Sequence, residues 1–226
     1  MACTPAHKLS PERKILPILR ALERRYGVPR RRLWDPLEVL VHGVLSQNTT
    51  DVNADRAYDK LTRSFGTWEA VASASQKAVE RAIRESGLAA QKASTIKAVM
   101  RWLRKRGEYS LEFLRPGQAE QIESELTSIK GVGIKTARLV ALFGFGRPLF
   151  VVDTHVLRVT MRLGLIPDGC TRHKAHLLLD RLVPNEKKYS GHLGMIWHGR
   201  RTCRARRPLC DACAVRRWCV FVSRPK

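Results

Sequence analysis

The chain has 226 residues, of which 44% are hydrophobic, so it can build one large domain or two smaller ones around a packed core. Its formal net charge of +22 comes from 42 Lys and Arg against 20 Asp and Glu. A surplus of this size favours a polyanionic partner, because basic side chains displace counterions from phosphate backbones. Charge alone leaves open a protein that is simply basic, or one that works at ribosomes or membrane surfaces.

The cysteine content and the N-terminus indicate the compartment. No apolar run reaches the roughly 20 residues of a membrane span, and residues 1–10 contain no apolar core of a secretory signal. We therefore expect a cytoplasmic protein with no membrane partner. Six cysteines in such a chain favour a metal site over a disulfide framework, because the cytoplasm keeps thiols reduced.

Helical signals dominate the first half of the chain. Asp35-Pro36 has the pattern of an N-cap followed by proline at the first helical position, and it opens an apolar helix. Residues 90–106 and 118–128 have amphipathic helical spacing. Further caps are expected at Thr50 or Asp51, at Thr67 and at Ser75.

Strand signals are nearly absent. Residues 148–152 form an apolar run that is too short and too isolated to build a sheet. The pattern therefore predicts an all-α fold with short connections. From about residue 200 the chain is dense in Arg and Cys and poor in helical periodicity, so something other than a hydrophobic core must hold this part.

A glycine-rich hairpin lies between two predicted helices, at 122–128 and 136–142. Its sequence over 130–136 is Lys-Gly-Val-Gly-Ile-Lys-Thr, and two glycines permit backbone angles that other residues avoid. Amides of such a hairpin and of the following helix N-terminus can point at one anion. A tight turn would also need glycine, but the flanking Lys130 and Lys135 favour phosphate binding without base reading.

Two residues near the hairpin are candidates for chemistry. Lys135 lies in the first turn of a helix close to other cations, where a positive charge is disfavoured, and a neutral amine is a nucleophile. A plain phosphate-binding lysine explains it equally well. Asp153 follows an apolar run and precedes a helix, so an N-cap is the simplest explanation. The same carboxylate could deprotonate a nucleophile or stabilise an oxocarbenium-like sugar.

Four cysteines lie within 17 residues, with the spacing C-x6-C-x2-C-x5-C. They are Cys203, Cys210, Cys213 and Cys219. Four thiolates suit tetrahedral zinc or a cubane iron–sulfur cluster, and a single close pair with two wider gaps favours the cluster. Cys3 and Cys170 are expected to be bystanders. Three arginines between the first two ligands, Arg204, Arg206 and Arg207, have the character of a phosphate-contacting loop.

These features together resemble endonuclease III, a DNA glycosylase/AP lyase family of the helix–hairpin–helix superfamily. The resemblance covers about residues 15–220 and its motifs occur in the family's order. The matching segments are Leu-Ser-Gln-Asn-Thr-Thr-Asp at 45–51, Gly-Val-Gly-Ile-Lys-Thr-Ala at 131–137, Val-Asp-Thr-His at 152–155, His-Gly-Arg at 198–200, and the four cysteines.

The resemblance implies an all-α architecture with a DNA cleft between two domains. A six-helix domain would span 30–147, and an iron–sulfur domain would combine 10–29 with 148–226. It also implies a [4Fe-4S] cluster on the four cysteines. The partner would be double-stranded DNA containing damaged bases or abasic sites, met by a monomer in the nucleoid.

The resemblance also assigns residues. The lysine at position 135 would attack C1′ of the damaged nucleotide, and the carboxylate at 153 would assist it. Leu88 would wedge into the duplex, and Gln47 or Asn48 would fill the gap left by the extruded base. Other expected DNA contacts are Gly131, Val132, Gly133, Thr136, His155, Arg204, Arg206 and Arg207.

The activity implied is excision of oxidised pyrimidines followed by β-elimination at the abasic site. A monofunctional mismatch glycosylase is the first alternative, although such relatives tend to lack the hairpin lysine. A weakly active, damage-binding paralogue is the second, and a zinc-stabilised regulator is the third.

Overall fold

A computed structural model describes residues 6–223, and Cys3 lies outside them. Over this range the chain forms α-helices, short 3-10 turns and no β-strand, which confirms the all-α prediction. The helices are α1 (Pro11–Tyr26), α2 (Pro36–Leu45), α3 (Asp51–Phe65), α4 (Trp68–Ser73), α5 (Gln76–Ala82), α6 (Ala89–Arg104), α7 (Ala119–Thr127), α8 (Ile134–Leu139), α9 (Thr154–Arg162), α10 (Arg172–Leu182) and α11 (Lys188–Arg201).

The chain divides into two compact units. Unit 1 runs to Arg31 and resumes at Pro148, and unit 2 comprises Arg32–Arg147. Unit 1 therefore contains α1 and α9–α11, and unit 2 contains α2–α8. Among the described residues, no helix is both long and apolar enough to cross a bilayer.

Several helices begin at side-chain caps that the sequence predicts. The Asp35 carboxylate accepts hydrogen bonds from the amides of Leu37 and Glu38, both at 2.9 Å. Thr50, Thr67 and Ser75 cap α3, α4 and α5 in the same way. Each cap satisfies an amide that has no partner within its helix, which is why these local signals are readable from sequence.

Unit 2 has a core built from the apolar faces of its helices. In α2 the side chains of Leu40, Val41 and Val44 are fully buried, and α2 packs on α3, α6 and α8. The buried face of α6 carries Ile96 and Val99, as the amphipathic spacing predicts. After Leu139 the α8 helix widens into a π-helical turn over Val140–Gly144.

Unit 1 has its own core. Helix α11 packs on α9 and on α1, and the centre contains Ile18, Phe150, Val159 and Met195. The segment after α11 has no α-helix within the described residues. Its Val215 and Trp218 are buried in this core, and Cys203 and Cys213 pack against it.

The hairpin between α7 and α8 has one glycine with a special backbone angle. Gly131 has φ +91°, and a Cβ there would lie 2.2 Å from Thr95 Oγ1 on α6. Of the two glycines, only Gly131 uses the freedom that glycine permits, because Gly133 has an ordinary φ of −96°. Gly133 is the N-cap of α8, and a Cβ on it would meet nothing within 4 Å.

We therefore expect opposite outcomes for two similar substitutions. Gly131→Ala adds a methyl group against Thr95 and strains the left-handed backbone, so it should lower the free energy of unfolding by about 1 to 3 kcal/mol. Gly133→Ala has room and an ordinary angle, and should lower it by less than about 1 kcal/mol. Urea unfolding of the two variants measures the contrast. Equal losses would contradict the account of the hairpin.

Candidate active site

Close packing of α2 on α8 places Lys135. A Cβ on Gly43 would lie 2.9 Å from Thr136 Cγ2, so only glycine allows this approach without a shift. Lys135 is half-buried in the first turn of α8, and its Nζ donates to Ser46 Oγ at 3.2 Å. Ser46 is the C-cap of α2. The amine is thus held at a fixed place beside the end of α2.

Two other residues expected at this site are buried. Thr136 is 1% exposed, and its hydroxyl accepts from Gln47 Nε2 at 3.5 Å. Val132 is 5% exposed, and its amide donates to Ile129 O at 3.0 Å. Their side chains therefore hold the hairpin and the 46–48 segment in shape. Lys130, Gly131 and Gly133 form the exposed rim of the hairpin.

Asn48 and Leu88 are exposed in an unusual backbone conformation. Asn48 has φ +50° and Leu88 has φ +49°. Asparagine tolerates the left-handed region, but leucine does so at a cost of about 1 to 2 kcal/mol. Leu88 is also 54% exposed, directly before α6. An exposed apolar side chain held in a strained backbone is typical of a functional contact rather than of packing.

In unit 1, Asp153 caps α9. Its Oδ1 accepts from the Val156 amide at 2.7 Å, as the sequence predicts. His155 follows in the first turn of the same helix and is half-buried. Burial lowers the pKa of His155 below its usual value, with the nearby Asp153 acting in the opposite direction. The imidazole is therefore neutral at neutral pH.

Arg158 joins this end of α9 to the segment that follows α11. Its guanidinium donates to Gly199 O at 2.8 Å and to Cys203 O at 3.0 Å. The same group lies 3.1 Å from His155 Nδ1. Asp153 and His155 are therefore held on a helix that is bonded directly to the first cysteine of the quartet.

The four cysteines line one cavity. Cys203, Cys210, Cys213 and Cys219 all contribute to its wall, together with apolar side chains such as Leu163 and Val215. All four are free thiols. Burial raises the pKa of Cys213 to about 11, so a thiolate there needs a metal to neutralise it. Cysteine thiolates are the ligands of iron–sulfur groups, so the chemical type of these four side chains suits such a group.

Within residues 6–223, no three Cys, His, Asp or Glu side chains form a group that could hold a metal ion. Cys170, predicted to be a bystander, is a free thiol that lies outside the wall of the cysteine-lined cavity.

His198 of α11 supports the third cysteine. Its Nε2 lies 3.6 Å from Cys213 Sγ and its Nδ1 lies 3.1 Å from the Tyr26 hydroxyl. Burial lowers the pKa of His198 to about 4, so the ring is neutral at pH 7 and carries one N–H. Such a partner can orient a cysteine ligand.

The loop between the first two cysteines is folded against α9 by Arg162. Its guanidinium donates to Arg204 O at 2.7 Å and to Ala205 O at 3.1 Å, and it lies 3.4 Å from Cys203 Sγ. The loop is closed by a bond from Leu209 N to Thr202 O at 2.9 Å. The predicted arginines of this loop, Arg204, Arg206 and Arg207, are all exposed.

Sequence reasoning missed the residues that support these sites. The sequence indicates Ser46 only as part of a motif, and no local pattern indicates Arg158 or Arg162. Both arginines bond to main-chain carbonyls more than 40 residues away, and no local pattern reports such partners.

Comparison with known proteins shows the family of this chain. The family model described as HhH-GPD superfamily base excision DNA repair protein matches residues 41–185. The chain therefore belongs to the HhH-GPD superfamily of base excision DNA repair proteins. Within that superfamily it is a DNA glycosylase of the endonuclease III type.

Individual relatives support the assignment to the endonuclease III type. Endonuclease III of Thermotoga maritima is 35% identical over 190 residues, which cover 84% of this chain and 85% of that protein. A putative DNA glycosylase of Arabidopsis thaliana is 39% identical over 165 residues, or 73% of this chain; the match spans only 56% of that relative.

A solved structure extends the likeness to the fold. A trapped endonuclease III–DNA covalent intermediate, described as an estranged-adenine complex, superposes with a TM-score of 0.81 at 28% identity. The match covers 94% of this chain and 97% of that one.

The contribution of Asp153 to stability as a cap can be separated from the effect of its negative charge. Asp153→Ala removes the acceptor for the Val156 amide and should lower the free energy of unfolding by about 1 kcal/mol. Asp153→Asn keeps an acceptor oxygen and should stay within about 0.5 kcal/mol of wild type. Chemical denaturation of both variants tests this. If Asn costs as much as Ala, the side chain stabilises unit 1 by its charge and not as a cap.

Proposed function

We propose that this chain is a bifunctional DNA glycosylase/AP lyase that excises oxidised pyrimidines and cleaves the strand by β-elimination. The observation that carries the proposal is the position of Lys135: an amine at the first turn of a helix, directly after a glycine hairpin and bonded to Ser46. The relative trapped as a covalent DNA intermediate supports the same chemistry.

The reaction that we propose begins with the neutral amine of Lys135. Nitrogen attacks C1′ of the damaged nucleotide, the glycosidic bond breaks, and the base leaves with the bonding electrons and takes up a proton. The sugar opens to give a protonated Schiff base with the lysine. Loss of a proton from C2′ then expels the 3′ phosphate, and water releases the enzyme.

Asp153 is proposed to assist with negative charge. A carboxylate near a sugar that develops positive charge stabilises that charge, and it can accept a proton from the amine. The cap to Val156 fixes the side chain while the second carboxylate oxygen does not take part in that bond. Its role comes to this chain from the family resemblance.

The DNA contacts are proposed to come from exposed segments. The hairpin rim, with Lys130 and Gly133, would take a backbone phosphate, and Gly133 leaves open space where phosphate oxygens can approach. Leu88 would enter the base stack, and Gln47 or Asn48 would fill the gap.

The exposed arginines of the 203–209 loop, Arg204, Arg206 and Arg207, would bind further phosphates of the same duplex. The proposed partner is double-stranded DNA with a damaged base or an abasic site, and we propose that the protein acts as a monomer in the cytoplasm at the nucleoid.

We further propose that the four cysteines hold a [4Fe-4S] cluster. Such a group would cross-link Cys203, Cys210, Cys213 and Cys219, and so fix the arginine loop where no long helix does. In keeping with this, residues 10–29 and 148–226 would form the cluster domain, and 30–147 the domain that carries the nucleophile.

The nucleophile is tested by borohydride trapping on an abasic duplex. Wild type should form a covalent protein–DNA adduct, because reduction fixes the Schiff base. Lys135→Gln, which keeps a polar side chain of similar length, should form none while its unfolding midpoint stays near that of wild type. A Lys135→Gln protein that still cross-links would overturn the assignment.

Borohydride trapping, combined with assays of base release, duplex binding and strand cleavage, separates the alternatives. A monofunctional glycosylase would release the base from a thymine-glycol or mismatched duplex and leave no adduct. A damage-binding paralogue would bind the duplex and neither release a base nor cut the strand. Either result from wild type would overturn the bifunctional mechanism.

The proposed cluster can be tested with a matched control, because the chain also has a cysteine outside the cavity. The purified protein should be brown and absorb near ~400 nm. Cys210→Ser should lose this band and the bound iron, whereas Cys170→Ser, which removes a thiol outside the cavity, should keep both. Iron analysis and the absorption spectrum measure the difference. A colourless wild type containing zinc would contradict the assignment.

A further inference from the structure

Helix α6 carries a lysine whose ammonium group is buried. Lys92 is 2% exposed, and its Nζ donates to Leu45 O at 2.7 Å and to Ser86 O at 2.6 Å. Burial lowers the pKa of Lys92 to about 8, so the group is still mainly protonated at pH 7 and can donate to both carbonyls. A buried ammonium of this kind is costly, and both of these bonds offset the cost.

The side chain of Lys92 joins two segments, and the first of them is the turn that precedes Leu88. Ser86 closes a short 3-10 turn, with its hydroxyl bonded to Ile83 O at 2.8 Å. Gly87 and Leu88 follow at once. The backbone amide of Lys92 also donates to Leu88 O at 3.0 Å. Lys92 therefore holds the carbonyl of Leu88 with its main chain and the turn before it with its side chain.

The second segment that Lys92 joins is the C-terminal end of α2. Leu45 is the last residue of α2, and its carbonyl needs a donor from outside the helix. The next residues are Ser46, Gln47 and Asn48, and Asn48 reverses the chain with φ +50°. The ammonium of Lys92 is thus one donor shared by the segment before Gln47 and Asn48 and the turn before Leu88.

We propose that Lys92 is a positioning residue that couples the Leu88 turn to the Gln47–Asn48 segment, so that both enter the duplex in one fixed arrangement. The inference rests on the proposed function, in which these side chains replace an extruded base. It adds a residue that touches neither DNA nor the reacting atoms. The nucleophile is positioned separately, by the packing of Gly43 against Thr136.

A second lysine of the same helix supplies a matched control. Lys97 is 9% exposed, and its ammonium donates to the carbonyls of Val71, Ala72 and Ala74 at the end of α4. Burial also lowers the pKa of Lys97. It therefore resembles Lys92 in helix, burial and type of partner, but its bonds go to α4 and reach neither Leu88 nor the 46–48 segment.

The experiment compares Lys92→Met with Lys97→Met in two assays. The first uses a duplex with 2-aminopurine opposite a tetrahydrofuran abasic analogue, where unstacking of 2-aminopurine by the entering side chains raises its fluorescence. The second measures single-turnover cleavage of a true abasic site and excision of thymine glycol. Both variants should lose stability to a similar degree in urea unfolding.

Lys92→Met should lose most of the fluorescence rise and excise thymine glycol about 10- to 100-fold more slowly, while abasic cleavage changes by less than about threefold. Lys97→Met should leave all three near wild type. In a Leu88→Ala background, Lys92→Met should cause a smaller loss than it does in wild type, because one of the two side chains that Lys92 arranges is already absent. If Lys92→Met does not fold, Lys92→Gln, which keeps a donor for one carbonyl, takes its place.

Equal effects of the Lys92 and Lys97 variants would overturn the inference, and so would a full Lys92 effect in the Leu88→Ala background. A wild type that produces no fluorescence rise would overturn it as well. A wild type that produces the rise but cleaves no abasic site would overturn the proposed function alone, since the fluorescence comparison does not depend on catalysis.

Discussion

A helix that ends inside a protein leaves carbonyl groups that need donors, and in this chain buried or half-buried cations supply them. The pairs are Lys14 with Leu163 O, Lys92 with Leu45 O, Lys97 with Ala72 O, and Arg158 with Gly199 O. Each pair joins the end of one helix to a residue distant in sequence. Short helices can then stop where function needs a turn, as α2 does before Gln47 and Asn48, without leaving polar groups unsatisfied.

These internal cations change the meaning of the net charge. Part of the +22 surplus serves the fold, because Lys14, Lys92 and Lys97 are almost fully buried. The charge available to a phosphate backbone is carried by exposed residues such as Lys130 and the arginines of the 203–209 loop. Composition overstates the DNA-facing charge, whereas the position of each cation separates the two uses.

Local chemistry made much of the fold predictable from sequence. Asp35 and Asp153 act within three residues of themselves, so their caps could be predicted. The cysteine spacing predicted a common metal centre; the four side chains line one cavity, and the centre itself stays a prediction. The sequence did not show which of the two hairpin glycines uses a left-handed angle, because the pattern is the same for both; Gly133 has an ordinary angle and open space around it.

Lys92 was missed although it lies four residues before Ile96, on the apolar face of α6. A lysine in such a position is the available signal, but its partner Leu45 is 47 residues away. The roles of Lys135 and Asp153, and the domain bounds given from the resemblance, stay predictions.

The way in which Arg162 holds the 203–209 loop bears on how such a loop can evolve. Its guanidinium binds main-chain carbonyls, which every amino acid has, and it binds no side chain of Arg204 or Ala205. The conformation of the loop at positions 204 and 205 is therefore held through the main chain and not through their side chains. Substitutions at these two positions can alter the strength of nucleic-acid binding with little penalty in folding, whereas Arg207, with φ +49°, is a position where the backbone angle restricts the choice of residue. In the 203–209 loop, the contacts that hold the main chain are thus separate from the exposed side chains that selection can change.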